Sequence, residues 1–228
     1  MDSNEVRSQW EGRTGEFSPE YYSHHGPDER SESLLSALDR YVDRDARVLE
    51  LGCSSGRHLA HLHENGYENL SGVDVNDEAF AVMADSYPDL ARSGTFYCGA
   101  IETVVPGFDD GEFDAVYSVE TLQHLHPDVA WAFEDVARIT GDLLVTIENE
   151  GAVETDPDGN DVEPNSGDES GDTYSGDESG DARPPVTFVN DDVALYYRDW
   201  KRVFSEFGLV QVDARSGKRD TTRAFRRE

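Results

Sequence analysis

The chain has 228 residues, with 49 Asp and Glu against 19 Lys and Arg, a formal charge of -30 and an apolar share of 36%. That length suits one compact domain around a single substantial core. It contains no uninterrupted apolar run of the roughly 20 residues that a membrane-crossing helix needs, and Met1-Asp2-Ser3-Asn4-Glu5 carries no basic and then apolar leader. No Lys/Arg-rich stripe exists to overcome repulsion from phosphate backbones. Membrane and nucleic-acid partners and a secretory signal are therefore not expected, and a cytoplasmic location is.

The acid excess is not confined to one tract. Residues 150–182 hold 12 acids and no base, leaving 37 acids against 19 bases in the other 195 residues. Lys201 and Lys218 are the two lysines, beside 17 arginines. A carboxylate-rich, lysine-poor surface suits concentrated salt, where screening over about 3 Å suppresses self-repulsion, so a halophilic cytoplasm is the expected setting. Cys53 and Cys98 are too few for a disulfide framework or a four-thiolate zinc site and are expected to be buried thiols.

In chain order, an aromatic-rich stretch from Trp10 to Gly26 precedes the first periodic helix, on which Leu34, Leu38, Tyr41 and Val42 share a face behind the cap-forming Asp28 and Ser31. Arg47-Val48-Leu49-Glu50-Leu51 reads as a short buried strand running into Gly52-Cys53-Ser54-Ser55-Gly56. The next helix turns Leu59 and Leu62 inward and stops near Asn65-Gly66. Then follow a strand from Leu70 to Val75, a helix from Asp77 to Ser86 ended before Pro88, and strands at Thr95 to Cys98 and Phe113 to Val119. A helix from Pro127 to Ile139, opened by its proline, and a strand from Leu143 to Glu148 complete the alternation. Strands separated by helical crossovers predict an α/β fold: a doubly wound, mostly parallel sheet with helices on both faces.

The pattern breaks after Glu150. Ser-Gly-Asp-Glu-Ser-Gly-Asp begins at Ser166 and again at Ser175, inside an Asp/Glu/Gly/Ser/Pro-rich tract. Such a tract cannot bury enough apolar area to offset its ordering entropy, so a disordered insertion is expected in preference to a calcium-binding repeat. Beyond it Val193, Tyr196, Tyr197, Trp200, Val203, Phe204 and Phe207 recur at helical spacing, with Gly208 as a cap. Leu209 to Val212 and Thr221 to Phe225 read as an antiparallel pair at the sheet edge. The organisation is thus an N-terminal segment 1–29, an α/β core 30–150, an insertion 151–185, and 186–228 completing the same domain.

The most informative segment is the turn after the first strand. Small residues at Gly52 to Gly56 let the backbone turn tightly and let a ligand approach the main chain. Asp74, at the end of the second strand, places a carboxylate beside the same crevice, where it could accept from two ribose hydroxyls. A phosphate-cradling loop would need a Gly-Lys-Ser/Thr ending, and no lysine is near. A dinucleotide site would need a third glycine where Leu59 stands, and Glu50 would repel a pyrophosphate. An acid at position 50 suits a ligand carrying an ammonium and a sulfonium.

These segments resemble the class I S-adenosylmethionine-dependent methyltransferases. Glu50-Leu51-Gly52-Cys53-Ser54-Ser55-Gly56 is similar to the family's acidic-x-Gly-x-Gly-x-Gly first motif, with Ser54 at the middle glycine. Asp74 matches the acid after the second strand, Gly99-Ala100-Ile101-Glu102 the adenine-side motif, and Phe113-Asp114-Ala115-Val116-Tyr117-Ser118 the fourth-strand motif. The resemblance implies a Rossmann-like seven-stranded sheet and S-adenosyl-L-methionine as cofactor. It implies that Gly52, Cys53, Ser54 and Gly56 line the methionine part, that Glu50 orients the loop and the amino group, and that Asp74, with Val75, meets the ribose. Ala100, Ile101 and Glu102 would border the adenine, although many relatives have Asp where Ala100 stands. Val119 or Glu120 would lie beneath the transferable methyl.

Methyl transfer to an activated carbon needs alignment and a shielded pocket more than a strong catalytic group. A hydroxyl or ammonium acceptor does need a base within hydrogen-bond reach. Glu120 to Pro127 opens on the crevice, so His124 and Glu120 are the candidate catalytic residues, while His126 is expected to cap the following helix. Trp10 to Gly26 either folds over the cofactor as a lid, as the resemblance implies, or packs on the sheet. His58-x-x-His61-x-His63 is read as solvated helix positions in preference to a zinc site. With no basic surface and no separate docking module, the acceptor is expected to be a small molecule. The alternatives are a binding protein that performs no transfer and, with less support, a nicotinamide-dependent oxidoreductase.

Overall fold

A computed structural model of the chain describes residues 1–151, 154–155, 161–162, 183–189 and 193–227. Both acidic repeats lie outside the described residues, so the expected insertion does as well for most of its length. In chain order the elements are α1 (Ser3–Glu11), α2 (Pro19–His25), α3 (Glu29–Tyr41), β1 (Arg47–Leu51), α4 (Arg57–Glu64), β2 (Asn69–Asp74), α5 (Glu78–Ser86), α6 (Pro88–Ser93), β3 (Thr95–Cys98) and α7 (Ile101–Val104). Then come β4 (Phe113–Val119), α8 (Ala132–Ile139), β5 (Thr140–Glu148), β6 (Glu154–Thr155), β7 (Asp161–Val162), β8 (Val186–Val189), β9 (Val193–Tyr196), α9 (Trp200–Glu206), β10 (Leu209–Ser216) and β11 (Thr221–Arg227). Among the described residues no helix is long and apolar enough to cross a membrane.

A seven-stranded sheet runs in the order β10-β11-β5-β4-β1-β2-β3. Strands β1 to β5 pair in parallel, while β11 pairs antiparallel with β5 and with the edge strand β10. This is the expected α/β architecture with its antiparallel edge pair. Because side chains alternate along a strand, the sheet feeds two cores. Leu49, Leu51 and Val116 pack with Phe133, Trp200 and Phe204 on one face, and Val48, Ala115 and Tyr117 with Leu34, Leu38 and Leu59 on the other. β1 has β2 on one side and β4 on the other. The strand order reverses there, which opens a crevice at the carboxyl ends of these strands.

Local signals explain most boundaries. Asp28 accepts from the main-chain N–H groups of Arg30 and Ser31 and so caps α3, as its sequence position predicts. Two expectations need correction. The stripe from Val193 to Phe207 is not one helix: Val193–Tyr196 is a strand paired with Val186–Val189, and α9 starts at Trp200, capped by Asp199. All four residues of β9 are buried, so its apolar run fits a helical period as well as a strand and periodicity alone misassigns it. Likewise Pro127 opens a single 3-10 turn, Pro127–Val129, and the helix proper begins at Ala132. Cys53 is a buried free thiol as expected, but Cys98, on β3 at the sheet margin, is exposed.

Trp200 is fully buried, with ring centroids 5.3 Å from Phe133 and 6.0 Å from Phe204. Trp200→Ala should therefore lower unfolding free energy by about 3–5 kcal/mol in a urea titration, with the loss of transferred area and the cavity acting together; a change under about 1 kcal/mol would mean that this face is not the core.

Candidate active site

At the carboxyl ends of β1, β2 and β4 lies a cavity of about 150 Å³. The strand-end turns form its floor, and α1 and α2 close one side through Val6, Trp10, Pro19 and Tyr22. Every site residue expected from the sequence lines it except Gly56, which sits just behind as the first residue of the turn into α4.

Gly52 has φ +74°, and a Cβ there would stand 2.3 Å from the side chain of Thr121, so the loops after β1 and β4 touch only because this residue is glycine. Gly56 has φ +79° and a Cβ would meet Met83 at 2.8 Å, which fixes the close approach of α4 to α5 and α6. Between them Ser54 adopts φ +46° without being glycine. Its N–H donates to Oδ2 of Asp74 at 2.7 Å, and the N–H of Asn76 donates to Oδ1 at 2.9 Å. Asp74 therefore braces both strand-end turns. Burial moves its carboxyl above the usual range while these N–H groups act in the opposite direction.

Glu50 is 1% exposed, in the interior of β1. Its Oε2 accepts from the Tyr117 hydroxyl at 3.0 Å across the β1–β4 pair. Burial pushes its pKa well above the ordinary value, and the Arg57 cation offsets this only in part. Arg57 opens α4, reaches Asp28 at 3.3 Å and lies over the Tyr22 ring at 4.9 Å. A buried acid and a guanidinium thus share one end of the cavity.

At the far wall Val75, Gly99, Ala100, Ile101 and Glu102 line the pocket, and Glu102 faces Arg7 of α1 at 3.7 Å. At the remaining end, Val119 and Glu120 follow β4. Glu120 has φ +49°, and its carboxylate lies 3.3 Å from Arg30 and 3.8 Å from Arg219. Burial raises its pKa, with Arg30 opposing. His124 sits 4.9 Å from the Trp10 ring, and its Nδ1–H donates to the Ala194 carbonyl at 2.8 Å. The proton is therefore fixed on Nδ1, leaving Nε2 as the acceptor, 3.3 Å from the Gln123 amide nitrogen. Burial lowers the imidazole pKa to about 4. His126 caps the 3-10 turn by accepting from the N–H of Asp128 at 3.2 Å, as expected.

The histidines of α4 differ from expectation. His58 is buried, with Nδ1 2.8 Å from the Ser31 hydroxyl, and burial holds it at about 3, because α4 packs this face on α3. His61 instead reaches Glu32 at 3.2 Å and His63 reaches Ser93 at 3.3 Å. Among the described residues no group of three or more His, Cys, Asp or Glu side chains could hold a metal ion.

Residues that the sequence did not single out include Tyr117, Arg57, Glu148 and Arg198. Glu148 is fully buried at the end of β5, accepting from the Ser118 hydroxyl at 2.5 Å and from the N–H groups of Thr121, Leu122 and Gln123 at 3.2, 3.1 and 3.2 Å. An acid ending a buried strand was visible in the sequence; its partners, some 25 residues away, were not.

Residues 48–142 match the sequence profile of a family described as a methyltransferase domain. The O-antigen chain terminator bifunctional methyltransferase/kinase of Escherichia coli is 32% identical over 91 residues, covering 39% of this chain and 12% of that protein. The chain thus spans a small part of that relative. Among solved structures, a protein of Pyrococcus horikoshii OT3 superposes with TM-score 0.62 at 14% identity, covering 95% of this chain and 100% of that one. The 1,6-didemethyltoxoflavin-N1-methyltransferase of Burkholderia thailandensis, solved with 1,6-didemethyltoxoflavin and S-adenosylhomocysteine bound, superposes with TM-score 0.59 at 15% identity, covering 87% and 77%. The fold is the Rossmann-like α/β architecture that these solved structures share.

In an NMR titration the His124 imidazole should change shift with a midpoint at about 4 and keep its proton on Nδ1 at neutral pH; a midpoint near the ordinary value of about 6.5 would place His124 in a different environment.

Proposed function

We propose that the chain binds S-adenosyl-L-methionine in this cavity and transfers its methyl group to a small-molecule acceptor. The observation that carries the reading is the buried Glu50 carboxyl: burial raises its pKa, and the Tyr117 hydroxyl and the Arg57 cation offset this only in part, so the site favours a ligand that brings a further cation. The pocket fits the cofactor's other groups as well. Arg57, sharing the Glu50 end, suits the amino-acid carboxylate, and Gly52, Cys53, Ser54 and Gly56 supply the close main-chain approach. Asp74 uses its two oxygens on Ser54 and Asn76 yet retains lone pairs for ribose hydroxyls. Val75, Ala100, Ile101 and Glu102 form the adenine side. The methyltransferase-domain match over residues 48–142 supports the same reading.

The bound cofactor supplies a methyl carbon activated by a sulfonium. This chain's residues supply the rest. Val119 and Glu120 border the reacting end, and α1 and α2 close the cavity from water as a lid, with Trp10 and Tyr22 facing inward. Of the two candidate bases, Glu120 is better matched than His124: burial raises the carboxyl towards the working range, whereas it lowers the imidazole to about 4. His124, its Nδ1–H tied to Ala194 and its Nε2 facing the Gln123 amide, borders the acceptor as a neutral, fixed wall of the pocket. A small acceptor is supported by the enclosed pocket and by the net charge of -30, which disfavours nucleic acid. The same charge balance supports a cytoplasm rich in salt; refolding yield should rise with molar KCl, and full stability in dilute buffer would count against that setting.

Calorimetric titration with S-adenosylmethionine tests the reading. Glu50→Gln and Asp74→Ala should each weaken binding by about 1.5–3 kcal/mol, the scale of a charge-assisted hydrogen bond. Wild-type affinity should also fall as pH drops through the raised Glu50 pKa, because binding a cation then requires release of the Glu50 proton. Unaltered affinity in both variants would sink the assignment, and transfer of labelled methyl to a cell extract separates an enzyme from a protein that only binds.

A further inference from the structure

Two fully engaged buried charges flank the loop between β4 and α8, yet neither lines the cavity. Glu148 takes three consecutive main-chain N–H groups, those of Thr121, Leu122 and Gln123, together with the Ser118 hydroxyl. Arg198 holds the opposite polarity of the same segment, donating to the carbonyls of Leu125 at 2.5 Å, Leu122 at 3.3 Å and Tyr196 at 3.5 Å. Its guanidinium is packed among the rings of Phe133, Tyr196 and Trp200, so it cannot relax towards solvent. The loop is thus clamped by an anion on its N–H side and a cation on its C=O side. Glu120 at φ +49° and His124, the two groups that face the acceptor, lie at either end of the clamped stretch.

Resting on the methyltransferase reading above, we propose that Glu148 is a positioning residue: in its ionised form, with Arg198, it holds the 120–125 loop so that Glu120 and His124 present to the acceptor, and its protonation releases that hold. A carboxylate accepts all four donors at once, whereas a carboxylic acid must place its own O–H against them and loses at least one. The freed N–H groups of the buried Leu122 and Gln123 would be left unpaired away from water, so loosening the loop is favoured over keeping it closed. The groups facing Glu148 are Ser118 from β4, the loop N–H groups, Arg198 from the segment before α9, and Thr221 opposite it on β11. Burial raises the Glu148 pKa to about 7 against the pull of these donors, so the change falls near neutral pH.

The sign of the linkage separates positioning from plain structural support. A carboxyl raised in the folded state contributes stability at low pH that is lost as pH rises through the folded value of about 7, so ionising Glu148 weakens the fold as a whole while tightening the loop. Hydrogen exchange on the full chain saturated with S-adenosylhomocysteine, corrected for intrinsic rates, reads both. Protection of the Thr121, Leu122 and Gln123 amides should rise about tenfold or more between about pH 5.5 and pH 8.5, with Leu49 and Val116 as core controls that do not follow. Glu148→Gln should remove that rise and keep S-adenosylhomocysteine affinity within about threefold, since Glu50 and Asp74 are untouched. Ser118→Ala, the variant to use if Glu148→Gln fails to fold, deletes a donor to the charged form and should shift the midpoint to higher pH. A rise that persists in Glu148→Gln, a rise shared equally by Leu49 and Val116, or an unmoved midpoint in Ser118→Ala overturns the proposal. Failure of wild-type protein to bind S-adenosylhomocysteine overturns the methyltransferase reading instead, and leaves the pH response of the loop to be read in the free chain.

Discussion

A carboxyl group without a sufficient counter-charge, set inside a parallel strand, is the constraint around which this structure is arranged. Glu50 stands on β1 between apolar neighbours, on the face that also carries Val48 and Tyr117, where every other position serves the core. Placing an acid there is unfavourable for folding, because burial penalises its charge and the Tyr117 hydroxyl returns only part of what water would give. Such an expense is retained where the group meets a ligand, and the sheet topology puts that ligand's place at the reversal of strand order between β1 and its two parallel neighbours. The electrostatics of one side chain and the winding of the sheet thus point to the same spot.

The turns around Glu50 are held in conformations that need support. Ser54 and Glu120 both have positive φ without being glycine, at the ends of β1 and β4, and each is tied down by a specific partner: Ser54 by Asp74, Glu120 by its N–H to the Ile147 carbonyl at 2.8 Å. Backbone strain of this kind gathers where a site must be preorganised. The loops also depend on each other, since Thr121 closes over Gly52 at a distance only a glycine permits. The turns after β1 and β4 are therefore mechanically joined, and α1 closes over them through Trp10 against His124 and Arg7 against Glu102.

Much of this was legible in the sequence because it depends on local signals. The strands Arg47–Leu51, Thr95–Cys98 and Phe113–Val119 follow from β-rich apolar runs bounded by turn residues, and Glu50, the Gly52–Gly56 turn and Asp74 announce themselves by residue type at fixed spacing. What escaped were features set by distant partners. Strand β9 reads as helix in the sequence because a strand buried on both sides lacks alternation. His58 reads as solvated because its burial is decided by α3, and Cys98 as buried because nothing local shows that β3 ends the sheet. Nothing local in the sequence marks the role of Glu148 and Arg198, since their hydrogen bonds go to a loop far along the chain. The direction in which burial moves Glu120 and His124 belongs to the same class of information.

Proton exchange on ligand binding tests the central claim most directly. Calorimetry of S-adenosylmethionine binding near pH 6, repeated in buffers of different ionisation enthalpy, measures how many protons leave the protein. If Glu50 is the ammonium's counter-charge and burial favours its protonated form in the free cavity, binding should be accompanied by proton release, and Glu50→Gln should abolish that release. Binding with no proton release, or a release that Glu50→Gln leaves intact, would contradict the account.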